Sequence, residues 1–576
     1  MRAGRQLRDP SPAPDERSID ERVPLRWSGL RGALGTVFAA VAVLLLQVLL
    51  AGFYWVSDPA PSVALAPIWD APVLVLLLVG WAALGRGWRW ADRTIVIALT
   101  VLVFLYFLIG VGQGFALREF GYDVVLRLHI AYVPELFRMM YNAEPLGWFV
   151  FYVALLALGV IVIVTAIFLS IRHLIRYARV GRRRQIGLAA AVVVATALGA
   201  VTLGMNGPVT AEAYTQLDLA LHLGKRIDAS ARRLEIEAAP LRNASPFGKP
   251  GAERPTILLF VVESYGNVLF TDPEFADFPG WLNKQGEALT RAGYHIASKQ
   301  MSSPVFGGSS WLAGTSLMCG VRVFNQKGFK GLMASSVRCL PAFLKDAGYR
   351  TVVAAGNIKF HDAEYERTLP FEQFYIRDDF GYRGPRMGWS FVPDQYVIDF
   401  VHRREIAPRQ AGGAAADRPL MVAYFLTTSH HPWSVVPSFI PDWSKIGDGS
   451  VYTGLPVQEF SDNQFVAGVA YKPAYKATIE YSLQTIESYL ERLPADDHSV
   501  ILILGDHQPR RPVARIKGDP WTVPIHLVSR DPAVLERFAR VGFRPGIAPA
   551  LEEKPSGLEA FVGELFTAYG GTVVRR

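Results

Sequence analysis

At 576 residues, 51% hydrophobic and 19% charged, with a mean hydropathy of +0.21, the chain is too long for one domain, too apolar for a wholly soluble enzyme and too polar for a pure transporter. A net charge of +8 would suit a nucleic-acid binder. The arginine clusters at Arg2 to Arg31, Arg86 to Arg93 and Arg172 to Arg184 flank apolar runs, however, so they read as membrane-topology signals and no nucleic-acid partner is expected.

From the N-terminus, residues 1–30 are rich in Arg, Asp, Glu and Pro and read as a disordered cytoplasmic tail. Residues 31–205 follow as a bundle of five transmembrane helices. The candidates are Gly32 to Val56, Ala71 to Leu84 extended upstream by Trp69 and Ile68, Thr94 to Phe115, Leu146 to Ile171 and Ile186 to Met205. The first has no small-residue cleavage site behind a short core, so it stays as an anchor and not a cleaved signal peptide. Arg and Lys are dense before the first span, between the second and third, and between the fourth and fifth, whereas Ser57 to Pro67 has none; the N-terminus is therefore expected inside. Five crossings then place everything after Met205 outside, in the periplasm of a Gram-negative cell whose inner membrane holds the bundle. The remaining outer loop, Arg118 to Pro145, has the mixed character of a helix lying on the membrane surface.

Residues 206–250 read as a connector, helical over Ala211 to Glu237 and ending in Pro246, Gly248, Pro250 and Gly251. In residues 251–576, short apolar runs (Thr256 to Val262, Thr351 to Ala355, Met421 to Leu426, Val500 to Leu504, Val523 to Val528) alternate with helical patterns such as Leu340 to Ala347 and Tyr475 to Leu493. That alternation predicts an α/β domain with a mostly parallel central sheet covered by helices on both faces, and chemistry at the carboxyl ends of its strands. Gln410 to Asp417 reads as a flexible surface loop.

Two of these strands end in charge. ILLFVVES delivers Glu263, and VILILGDHQP delivers Asp506 and His507, a carboxylate–imidazole set suited to Mn²⁺ or Zn²⁺. Between them, SSPVFGGSSWLAGTSLMCG turns at Gly307 and Gly308 into Ser309, Ser310 and a helical run, which puts a serine where backbone N–H groups and the helix dipole favour an anionic ester. FLTTSHHPW delivers His430 and His431 from another strand, one of which could bind a phosphoryl oxygen or protonate a leaving group. Taken one at a time, each segment also has an ordinary reading as a cap or a turn. The only cysteines, Cys319 and Cys339, allow no thiolate zinc cage; they form either one disulfide or two separate buried thiols.

In this order, after membrane spans, the segments resemble the alkaline phosphatase/sulfatase superfamily, in particular its membrane-anchored phosphoglycerol and phosphoethanolamine transferases, with the phosphoglycerol transferase I and lipoteichoic acid synthase branches nearest. AGTSLMCG, RCLPAFLKDAGYRTVVAAGN, FHDAEYERTLPFEQFY, SHHP and GDH carry the likeness. It implies Glu263, Asp506 and His507 as metal ligands and a serine of GGSS as nucleophile and fourth ligand. Counting back from Cys319-Gly320 selects Ser310, matching a Gly-x-Thr pattern selects Ser309, and Ser310 is taken. His430, with His431 as the lesser candidate, is implied to contact the substrate phosphate. Within RGPRMGWSFVPD, Arg386 and Trp389 are implied to hold the transferred group.

The absence of Asp-Asp after the first strand and of a Pro and Arg after the serine disfavours a sulfatase. The phosphoethanolamine branch has a further histidine about a dozen residues after its Asp-His pair; here the next is His526, inside a strand. The expected activity is therefore metal-dependent transfer of phosphoglycerol from a phospholipid donor, phosphatidylglycerol favoured, through a phospho-serine to an envelope glycan or glycolipid. Phosphoethanolamine transfer, a phospho- or sulfo-ester hydrolase, and a catalytically silent envelope-binding membrane protein are the alternatives.

Overall fold

The computed structural model describes residues 25–57, 68–84, 89–120, 133, 137, 146–203, 210–248, 254–358, 361–387, 390–412, 417–460, 471–515, 519–552 and 554–571. They fall in two compact units, residues 1–115 with 131–216 and residues 116–130 with 217–576. Most of the expected tail, most of the loop from 118 to 145, and residues 413–416 of the expected flexible loop lie outside the described residues.

The first unit contains helices Leu25–Leu50, Asp70–Leu84, Leu146–Arg179 and Arg182–Leu203 and all but the last five residues of Arg89–Phe120. The first of these begins within the stretch expected to be a tail. Among the described residues, four segments, Gly32–Leu50, Trp90–Phe115, Leu146–Arg179 and Arg182–Thr202, are long and apolar enough to cross a membrane. The expected second span differs. Asp70–Leu84 has 15 residues, roughly 22 Å at the α-helical rise against a hydrocarbon core of about 30 Å. Five expected spans are thus four long helices and one short apolar helix. The short helix buries Val75 and Leu78. Its Trp81 donates to Asp92 at 3.0 Å, and Asp92 also accepts from two guanidinium nitrogens of Arg179. That clamp pairs the carboxylate at an apolar helix end, where an unpaired charge would be costly.

The second unit is built on an eight-stranded sheet. Its strands are β1 (Ile257–Val262), β2 (His295–Ser302), β3 (Arg350–Ala355), β4 (Gln373–Ile376), β5 (Leu420–Leu426), β8 (Val500–Gly505), β9 (Thr522–Ser529) and β10 (Arg544–Pro545). The short β6 (Val435–Val436) and β7 (Gln458–Glu459) pair separately. The order is β10-β2-β9-β8-β1-β5-β3-β4. The five strands from β8 to β4 are parallel, while β9, β2 and β10 join by antiparallel pairing.

Period-two alternation along β1 explains why the sheet needs cover on both faces. Leu258, Phe260 and Val262 enter one core, with residues of helices Phe278–Arg291, Asp394–Val401 and Tyr471–Glu491. Ile257, Leu259 and Val261 enter the other, with residues of Ser310–Cys319, Leu340–Asp346 and Phe561–Ala568. All six β1 residues are buried, so the strand reads as an unbroken apolar run.

Candidate metal centre

Because β8, β1 and β5 are neighbours running the same way, their carboxyl ends open at one edge of the sheet. Asp506 and His507 leave β8 there, Glu263 leaves β1, and the segment Thr427 to His430 leaves β5. Ser429 Oγ donates to the Glu263 carbonyl at 2.7 Å, tying the β5 turn to the end of β1. The serine arrives by another route. After β2 the chain turns at Gly307 (φ 71°) and Gly308 (φ 150°), a conformation that favours glycine, and enters helix Ser310–Cys319.

Ser310 Oγ donates to Glu263 Oε2 at 2.8 Å and lies 3.1 Å from His507 Nε2. His507 Nε2 is 3.3 Å from Glu263 Oε1 and 3.4 Å from Asp506 Oδ2. His507 Nδ1 donates to the Gln508 carbonyl at 2.8 Å, which leaves Nε2 as the nitrogen facing the carboxylates and the one that would exchange its proton for a cation. Asp506 Oδ1 accepts from the backbone N–H of Ser264 and of His507, both at 2.8 Å, leaving Oδ2 to the cluster. Glu263, Asp506 and His507 are buried, and each offers a donor atom within 4.8 Å of the others.

This set fits a divalent cation. Ligands about 2.1 Å from a tetrahedral centre stand about 3.4 Å apart, close to the separations of His507 Nε2 from both carboxylates. The charges agree. Burial and the adjacent Glu263 push Asp506 above the ordinary carboxylate value, against the pull of His507. Burial alone would raise Glu263, but His507, then His430 and Ser310, hold it low. Burial would lower His507, yet Asp506 and Glu263 raise it to about 9. Protons are thus retained where a cation would displace them.

Among the described residues, three non-glycine residues have positive φ: Ser264 (58°), Ser309 (68°) and Trp433 (60°). One follows Glu263, one precedes Ser310 and one follows the His430–His431 pair. Such conformations cost on the order of 1 kcal/mol or more each and gather at functional sites.

Of the other candidates, Ser309 is the N-cap of the serine helix, and its Oγ is buried without a hydrogen-bond partner. His430 is half-buried, with Nδ1 2.6 Å from the His431 carbonyl, and it helps to hold Glu263 low. His431 stacks on Tyr471 and meets Trp433 edge-on, and burial, then His430, lowers it to about 4. Arg386 is exposed with its guanidinium over the Phe391 ring. Trp389 lies outside the described residues. Cys319 and Cys339 are joined by a disulfide.

Sequence reasoning missed Asp394. Fully buried at the start of helix Asp394–Val401, it accepts from the Thr427 and Thr428 amides at 2.9 and 3.0 Å and from Ser482 Oγ at 2.7 Å, fixing the segment that delivers His430. A lone acid after Val-Pro ahead of an apolar helix is its only trace in the sequence. Gly505 was also passed over. A side chain there would lie 1.8 Å from the Tyr265 carbonyl, so the chain ahead of Asp506 requires glycine.

No protein-family model and no curated protein matches the chain. Among solved structures, it is similar to the lipoteichoic acid synthase LtaP from Listeria monocytogenes, at 14% identity over 59% of this chain and 78% of that one, with a TM-score of 0.37. A protein of the alkaline phosphatase superfamily from Vibrio parahaemolyticus matches at 13% identity over 60% and 74%, with a TM-score of 0.36. The C-terminal periplasmic domain of EcEptC from Escherichia coli matches at 13% identity over 57% and 86%, with a TM-score of 0.37. The sequence motifs resemble this same superfamily.

Proposed function

We propose that the protein is a metal-dependent transferase that moves phosphoglycerol from a phospholipid to an envelope glycan or glycolipid through a phospho-serine on Ser310. The observation that carries this reading is the Ser310 hydroxyl at the head of a helix, within hydrogen-bond reach of both Glu263 and His507. Ser309, whose Oγ is buried without a hydrogen-bond partner, is the weaker nucleophile.

A divalent cation, Mn²⁺ or Zn²⁺, held by Glu263, Asp506, His507 and Ser310 Oγ would supply Lewis acidity, easing loss of the serine proton and offsetting phosphoryl charge. Glu263 orients the Ser310 O–H. Ser310 passes its proton to Glu263 Oε2, to which it already donates, and its Oγ attacks phosphorus; the Oγ–P bond forms, the bond to the diacylglycerol oxygen breaks, and the proton returns to Oγ when the serine later leaves. His430 Nε2, the ring nitrogen not held by the His431 carbonyl, serves that oxygen as general acid; the backbone N–H groups of helix Ser310–Cys319 favour the anionic phosphoryl group. An acceptor hydroxyl then attacks phosphorus, passes its proton to His430, and the serine leaves. Arg386 and Trp389 are assigned to the glycerol end of the donor.

His526 favours phosphoglycerol over phosphoethanolamine. It is buried within β9 and bonded to Tyr265 Oη at 3.0 Å and Ser298 Oγ at 2.9 Å, so it is already committed within the core. The reading also places the second unit outside the cytoplasm, in keeping with an oxidised cysteine pair, and it requires Asp70–Leu84 with Ile68 and Trp69 to complete an odd number of crossings.

Purified enzyme with phosphatidylglycerol vesicles and Mn²⁺ or Zn²⁺ should release diacylglycerol, and its acceptor should gain the mass of phosphoglycerol. Ser310→Ala should abolish both. Diacylglycerol release by Ser310→Ala at the wild-type rate would sink the mechanism, and transfer only from phosphatidylethanolamine would replace the donor.

A further inference from the structure

Away from the metal centre, the first unit carries a cleft of about 340 Å³ between helices Leu25–Leu50 and Leu146–Arg179. Its wall is apolar, with Phe38, Val41 and Leu169 all more than half exposed. Above that wall, one turn toward the arginine-dense helix end, lie Arg172, His173 and Arg176. His173 Nε2 is anchored on the Gly35 carbonyl at 3.1 Å. Arg172 and Arg176 are exposed and have no carboxylate partner among the described residues, although Arg172 lies over Phe168.

Neither these two helices nor Arg182–Leu203 contains an Asp or Glu. Asp92 of the neighbouring helix is already bonded to Arg179 and Trp81. The cleft therefore combines cations that meet no carboxylate among the described residues with an apolar trough directly beneath them. That is the complement of one molecule class, an anionic diacyl phospholipid, whose phosphate meets the guanidinium groups while its acyl chains lie along Phe38, Val41 and Leu169.

We infer that this cleft is a binding site for one anionic phospholipid in the leaflet on the arginine-dense side, separate from the lipid consumed at Ser310. The inference does not depend on the proposed reaction. Full-length protein in nanodiscs of equal phosphatidylcholine and phosphatidylglycerol would be transferred to detergent and its retained lipid read by native mass spectrometry. One phosphatidylglycerol should persist on the wild type and equally on Ser310→Ala. Retention should fall on the order of tenfold in the Arg172→Gln/Arg176→Gln double variant and recover in Arg172→Lys/Arg176→Lys, with circular dichroism unchanged. Equal retention of both lipids, undiminished retention in the glutamine variant, or displacement by glycerol 3-phosphate alone would overturn the site. Loss in Ser310→Ala would assign the lipid to the catalytic centre instead.

Discussion

Two histidines, both 1% exposed, are carried by the neighbouring strands β8 and β9, and they differ in almost every other respect. His526 lies mid-strand in β9, opposite Ile503 of β8. Its two nitrogens meet a tyrosine and a serine hydroxyl, and burial lowers it to about 4. His507 lies just past the end of β8, its Nδ1 on a carbonyl and its Nε2 facing two carboxylates, and it is raised to about 9. Burial is common to both. What separates a structural histidine from a candidate ligand is a ring nitrogen aimed at uncompensated negative charge, and strand ends supply that because the backbone there no longer fills the space with ladder partners.

The strongest way to break the contrast is to remove each ring. His507→Gln should lose the stoichiometric divalent ion, measured by elemental analysis, and turnover should fall on the order of a thousandfold or more, with the fold intact by circular dichroism. A variant that kept its ion and rate would reduce His507 to a second buried core histidine.

The proton that His507 holds sharpens the same contrast by a smaller factor. Below about 9 the cation-free centre keeps it, so cation binding must expel it, and affinity should climb roughly tenfold per pH unit toward that value, one proton being released. Calorimetry in buffers of different ionisation enthalpy reads the release directly. No proton release between pH 7 and 8 would contradict the charge state given to the cluster.

Much of this was legible because burial on both faces makes a strand read as an unbroken apolar run. β1, β5 and β8 did so, and the charged residues terminating two of them marked the opening. β2 did not. HIASKQMS is polar, and its Lys299 is tolerated inside because Nζ reaches Glu564 at 2.7 Å and the Val541 carbonyl at 3.1 Å, partners more than two hundred residues away. Asp394 was invisible for a similar reason, since its value lies in amides it meets only after folding. In the membrane unit, apolarity identified Asp70–Leu84 as a span, but composition says little about length, and the helix stops at 15 residues. Choosing between Ser309 and Ser310 required backbone direction: adjacent residues in a turn point apart, and only Ser310 reaches Glu263.

The smallest effect belongs to the quieter histidine. His526→Leu should leave turnover per folded molecule unchanged while costing about 2 kcal/mol at neutral pH, because it strands the Tyr265 hydroxyl in the core. Its pH dependence carries more information. The folded ring stays neutral down to about 4, whereas in the unfolded chain it takes up a proton below its ordinary 6.5. Its linkage therefore leaves stability intact above pH 6.5 and withdraws it as pH falls toward 4, on the order of 3 kcal/mol over that window. Leucine has no such slope. The gap in thermal midpoint between wild type and variant should accordingly narrow on acidification and close or invert near pH 4, in chelator so that the metal centre is the same in both. A gap constant from pH 7 to 4 would mean that His526 is charged in the fold, and the distinction between the two rings would then rest on geometry alone.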